Sequence, residues 1–212
     1  MPPKVVVLVA GGQAAGKKSV CAAITKRLAE WKVTDVKTLS LNEFKVANLP
    51  KGTNPEGPDA YDFSKALTAV LSHQEDILLV EGLYALYEAT PEAKLLRDSG
   101  NIRIYVDQDA DTRLSRRINR DTIERNIPLH SVLDDYIEHC KPAMELYIRT
   151  TKPRADIVLM RGAEPSGIEL ISGAIYDRLL AIADNEATPA WAGGRTSKLL
   201  DDDMVDSFYE LS

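Results

Sequence analysis

The stretch GGQAAGKKS, Gly11 to Ser19, carries the residue types that can hold a phosphate chain. It fits the spacing GxxxxGK, from Gly11 through Gly16 to Lys17. Glycines let the backbone curl until several N–H groups converge on one anion. A helix opening at the end of such a loop adds about half a positive charge at its N-terminus. In this reading Gly11, Gly12, Gln13, Ala14, Ala15 and Gly16 form the cradle, and Lys17 reaches the outer phosphates. The bland alternative is a glycine-rich turn between a strand and a helix, with no ligand. One position departs from the pattern. Where a Ser or Thr hydroxyl usually holds magnesium, this chain has Lys18. An ammonium cannot ligate a cation and repels one. Ser19 is adjacent, but one helical step turns a side chain by about 100°, so it is a poor substitute.

A second group that could do chemistry is RLSRRINR, Arg113 to Arg120. Arg113, Arg117 and Arg120 fall at helical spacing. They suit either a phosphate contact or a charged helix face paired with Asp109, Asp111 and Asp121. The whole chain of 212 residues has a formal net charge of −6, which argues against a broad nucleic-acid surface and makes the arginines a local device. Cys21 and Cys140 show neither a metal spacing nor a disulfide framework, so a reducing compartment is expected. His73 stands alone and reads as a loop histidine. The apolar run near the start is too short for a signal peptide or a membrane span, which predicts a soluble, cytoplasmic protein without a membrane partner.

The elements that must position these residues follow from the hydrophobic pattern. Val5–Ala10 is a continuous β-branched run ending in two glycines, as expected of a central parallel strand buried on both faces. Val20, Ile24 and Leu28 mark one face of the helix that follows. Further strands are predicted in DVKTLSL, at Ile77–Gly82, at Ile102–Asp107 with alternating character, and at Asp156–Met160. Helices are predicted between them, with Pro142 as a kink and a mobile, charged connection after the arginine cluster. The segment from Asn42 to Phe63 is rich in Pro, Gly and Asn and reads as a loop. Strands alternating with helices imply an α/β fold, a parallel sheet covered on both sides. One domain is expected over residues 1–184. Residues 185–212 form a tail, either disordered or folded over a pocket through Trp191, Phe208 and Tyr209.

Five ordered motifs resemble the uridine/cytidine kinase family, relatives of phosphoribulokinase. GGQAAGKKS is similar to the family's GGSASGKTT-like loop, and NPEGPDAYDF to NFDHPDAFDF. ILLVEGLYALY is similar to VVLFEGILAFY. IYVDQDADTRLSRRINRDTIERN and KPAMELYIRTTKPRADIVLMRG match two further stretches, so the likeness runs from about Val5 to Leu180. It implies a P-loop NTPase-type sheet with an arginine-rich lid. It also implies ATP or another nucleoside triphosphate as cofactor, bound by the loop from Gly11 to Ser19 and by Arg117, Arg120 and Arg125. Lys17, Asn42 and Glu81 take the catalytic positions, Glu81 also being the metal-side carboxylate. Glu56, Asp59 and Tyr61 take the substrate positions.

Several positions leave the family pattern. Its DSFY element supplies the base, and the matching stretch here is NEFK, so Asn42 has no carboxylate to take a proton. Glu43 is next to it, but neighbours in an extended segment point apart. The hairpin that grips the nucleoside is missing between PDAYDF and the VEG strand, and the second arginine of the lid is Ile127. These losses predict a nucleotide-binding but catalytically degenerate protein of regulatory or scaffolding role, depending weakly on magnesium. The family forms oligomers, which suggests pairing with itself or with an active uridine kinase. The competing expectation is an active ATP-dependent kinase for uridine, cytidine or another small hydroxyl compound. No NKxD stretch supports guanine reading.

Overall fold

The computed structural model describes residues 5–187. The chain divides into two compact units, Met1–Leu179 and Leu180–Ser212. Of the second unit, residues 180–187 are described and are helical. The expected tail, with Trp191, Phe208 and Tyr209, lies outside the described residues.

Five parallel strands make one sheet. They are β1 (Val5–Gly11), β2 (Val36–Ser40), β3 (Ile77–Glu81), β4 (Ile102–Val106) and β5 (Ile157–Leu159), in the order β2-β3-β1-β4-β5. The run VVVLVAG occupies the middle and is buried at every position, as a doubly covered strand requires. β3 is equally buried, and β4 is covered on both faces rather than alternating, with Arg103 at its margin ion-paired to Asp156 at 2.8 Å. The helices around the sheet are α1 (Lys17–Glu30), α2 (Phe63–Ser72), α3 (Pro91–Asp98), α4 (Ala110–Asn119), α5 (Leu129–Asp135) and α6 (Pro165–Ala187). Val20, Ile24 and Leu28 of α1 are buried, confirming its inner face. Asp62, Thr90 and Asp109 cap α2, α3 and α4 by accepting from backbone N–H groups three residues on.

Two regions differ from simple helix. After α4 the chain does not leave the helix at once but makes a π-helical turn over Arg120–Glu124. After α5 two more π turns, Tyr136–Cys140 and Met144–Ile148, flank Lys141–Ala143. Pro142 has no N–H to donate, and the widened turns on either side take the place of the expected kink. The segment after β2 carries two short 3-10 turns, Leu41–Phe44 and Pro58–Ala60, tied by a bridge between Lys45 and Tyr61. His73 caps the end of α2 and meets Glu75 at 2.9 Å. Among the described residues no helix is long and apolar enough to cross a membrane.

Candidate functional site

The carboxyl ends of β1 and β3, the loop after β1 and helix α4 converge on a cleft of about 620 Å³. Open parallel sheets bind ligands in this position, beyond the strand ends. The floor is the Gly11–Gly16 loop. Gly11 has φ 143°, and a side chain there would begin 2.5 Å from the carbonyl oxygen of Val106. Only glycine permits that approach of β4. Ala14 and Gly16 also adopt positive φ, at 57° and 99°, so the backbone turns repeatedly before α1. Gly16 offers no side-chain cap, and α1 has no acid in its first turn. The first N–H groups of α1 are thus left without a side-chain cap, the arrangement that receives an anion.

Lys17 is buried and donates from Nζ to the carbonyls of Gly11 and Gly12, at 3.0 and 2.9 Å. Burial lowers its pKa to about 8, opposed mainly by the negative charge of Glu81. Glu81 ends β3, is itself buried, and accepts a hydrogen bond from Ser40 at the end of β2, its register partner. Lys18 and Ser19 are exposed and both border the cleft. Ser19 is therefore less removed from the site than the helical step suggests, since the cleft wraps across the start of α1.

The arginine cluster has a centre that the spacing did not show. Asp121 is 2% exposed. It pairs with Arg120 at 2.8 Å, Arg125 at 3.2 Å and Arg117 at 3.3 Å. Burial would raise its pKa, but the hydrogen bond from Arg120 and the three positive charges outweigh this and hold it low. All three arginines line the cleft, so pairing and facing the site are not alternatives. Arg117 also donates to Gln13 of the loop and pairs with Asp135. Asp109 and Asp111 are not partners of the three.

On the opposite wall stand Asn42, Lys45 and Glu56. Asn42 accepts from the Tyr61 hydroxyl at 3.3 Å. Glu43 turns away, its carboxylate receiving the Ser40 N–H at 3.4 Å in a capping box. Glu56 receives hydrogen bonds from Gln13 and from Lys45, the latter at 2.9 Å. Its carbonyl is held by the buried Tyr84 hydroxyl at 2.6 Å. Tyr61 is buried beneath Lys45 and does not line the cleft; burial raises its pKa. Asp59 is exposed on a neighbouring groove with Lys51, Asn54 and Tyr147, away from the cleft. Beneath Glu56, between Gln13, Leu83, Tyr136 and Met144, only about 10 Å³ of space remains. Sequence reasoning missed Lys45, Arg116 and Arg161 as cleft residues. The RG pair after β5 was visible as text, but nothing local shows that β5 ends beside the loop.

The fold implies a magnesium ion beside the phosphates, and the donors here do not suit one. Glu81 is engaged by Ser40, Asp121 by three arginines, and Glu56 by Lys45 and Gln13. Among the described residues no three His, Cys, Asp or Glu side chains group to hold a metal. Lys17 and Lys18 both line the cleft, and neither ammonium can ligate a cation.

A parallel sheet with a glycine loop and lysine at the end of its central strand defines a P-loop kinase fold. The family model described as phosphoribulokinase / uridine kinase family matches residues 41–166. Uridine-cytidine kinase B of Dictyostelium discoideum is 32% identical, covering 82% of this chain and 82% of the relative. Uridine kinase of Halobacterium salinarum is 29% identical over 90% of this chain and 92% of the relative. Uridine kinase-like protein 3 of Arabidopsis thaliana is 31% identical over 82% of this chain, which spans 43% of that relative's length. A solved Silicibacter kinase assigned to a fructose transport system shares the fold, with a TM-score of 0.58 at 16% identity, covering 74% of this chain and 90% of its own. The chain belongs to the phosphoribulokinase/uridine kinase family, whose P-loop kinase members use ATP.

Proposed function

We infer that the cleft binds a nucleoside triphosphate and that the protein phosphorylates uridine or cytidine poorly or not at all. Its role would then be regulatory or scaffolding, in the cytoplasm, as an oligomer with itself or with an active uridine kinase. The uridine-kinase-like P-loop domain in this reading is residues 1–184. Lys17 and the loop from Gly11 to Ser19 hold the phosphates, and Arg117, Arg120 and Arg125 close on them as the lid. The observation that carries the reading is the acceptor wall. Asn42 cannot act as a base, and Glu43 is turned back to Ser40. A general base is worth about 10²–10⁴-fold, and its loss alone would leave little turnover. A coupled ADP-release assay with uridine and cytidine tests it. Background turnover is expected, and robust uridine-dependent release would sink the reading.

A second reading is kept by Glu56 and Glu81, two carboxylates in the cleft. Either could serve as base for a small hydroxyl compound other than a nucleoside. The same assay with a panel of sugars and polyols separates the two.

A further inference from the structure

Among the described residues eight cationic side chains line the cleft: Lys17, Lys18, Lys45, Arg116, Arg117, Arg120, Arg125 and Arg161. Five of them are held by the protein. Lys17 is bound to loop carbonyls, Lys45 to Glu56, and Arg117, Arg120 and Arg125 to Asp121. The other three, Lys18, Arg116 and Arg161, are exposed and make no hydrogen bond or ion pair among the described residues. All three border the cleft beside the Gly11–Gly16 loop. Lys18 is in the first turn of α1. An Arg116 guanidinium nitrogen lies 3.8 Å from where a side chain at Gly16 would begin. A side chain at Gly162, next to Arg161, would begin 3.8 Å from the Ala15 carbonyl.

Like charges gathered around a helix N-terminus repel one another, and among the described residues none of these three is paired with a protein acid. An acid among them would offset the repulsion, and so would an anionic ligand. A magnesium complex suits this place badly, because the ion would meet Lys18 where it needs an oxygen. The ion would also neutralise part of the ligand charge that the three cations face.

We propose that this site is built for a metal-free polyphosphate chain, with Lys18, Arg116 and Arg161 supplying the counter-charge that magnesium supplies elsewhere. The proposal rests on the nucleotide-binding reading above. The chain could belong to a nucleoside triphosphate or to inorganic triphosphate, which share the chemistry. The cations bind and position, and no transfer step is assigned to them.

Calorimetry on the full chain, with ATP and with inorganic tripolyphosphate, tests this in EDTA and again in excess magnesium. ATP is expected to bind as tightly or more tightly in EDTA. Lys18→Thr is expected to weaken metal-free binding on the order of tenfold and to shift the preference toward the magnesium complex. Arg161→Gln removes a cation outside the loop and is expected to weaken metal-free binding with a smaller shift in the same direction, with thermal melting confirming that each variant folds. Loss of ATP affinity in EDTA by the wild type overturns the proposal and leaves the nucleotide-binding reading standing. Lys18→Thr with unchanged metal-free affinity overturns it as well. Binding in neither condition overturns both. Tripolyphosphate binding as tightly as ATP would assign the site to the phosphate chain alone, whereas ATP binding far more tightly would show that the nucleoside contributes.

Discussion

Lys17 sets the electrostatics of the loop because it is a charge with little water around it. Its pKa of about 8 means that raising the pH through that value discharges the free protein's lysine. Bound phosphate would favour the charged form, so binding takes up a proton in that range. ATP affinity measured by calorimetry in EDTA should therefore be level below about pH 7.5 and fall as pH rises through 8. For Lys17→Ala the profile should be flat and the affinity lower, on the order of tenfold or more. The linked effect on folding has the opposite sense. Below 8 the lysine is charged in both folded and unfolded chains, and its burial penalty is fully present. Between 8 and its ordinary value of 10.5 the unfolded chain holds more protons, so this group's contribution to stability rises with pH. Single restorations at the other two positions should leave uridine turnover at background in the ADP-release assay. Lys18→Thr returns a hydroxyl but no base, and Asn42→Asp returns a carboxylate while Lys18 still opposes a metal. Appreciable turnover by either would show that one missing group, not several, limits the reaction.

At the scale of elements, Asp121 joins α4 to the π turn that follows it and orders the arginines along both. Removing its charge leaves Arg117, which is largely buried, without one of its carboxylates. Asp121→Asn should lower unfolding free energy by about 3 kcal/mol, read from urea denaturation. An unchanged midpoint would mean that the arginines find other partners at no loss. The junction of β1 with its loop is equally specific. Gly11→Ala would place a methyl group against the Val106 carbonyl, with no flexible side chain to give way. A loss of about 2–4 kcal/mol is expected, with weaker ATP binding because the cradle moves with the strand. Much of this level could be read from sequence. The β-branched run, the glycines that end it and the one-sided helix were all legible, since each is fixed by neighbours a few residues away. The π turns were not, because the 3.6-residue pattern through Arg113, Arg117 and Arg120 does not record one extra residue per turn.

For the whole molecule the decisive feature is the strand order β2-β3-β1-β4-β5. It sets Ser40, Glu81 and Val9 side by side, two residues before Gly11, and sets Gly11 beside Val106 and the end of β5 at the same end of the sheet. The sheet's stability rests on its apolar faces, not on the cleft. Ile104, fully buried in β4, should show this: Ile104→Ala is expected to remove about 2–5 kcal/mol and lower Tm, while ATP affinity well below Tm stays near wild type. An affinity loss equal to that of Lys17→Ala would mean that core and site are coupled. The sequence by itself determined the phosphate loop, the alternation of strand and helix, the family, and the absence of a carboxylate at Asn42. These follow from residue identity and from periodicities that act over one or two turns of chain. Only the tertiary structure decided that one buried Asp121 gathers three arginines, that Glu43 faces Ser40, that Asp59 stands apart, and that Arg116 and Arg161 join Lys18. Those outcomes depend on which strand ends lie together and which side chains reach across them. The reason is that contacts between residues distant in sequence are fixed by sheet order and packing, which no local pattern encodes.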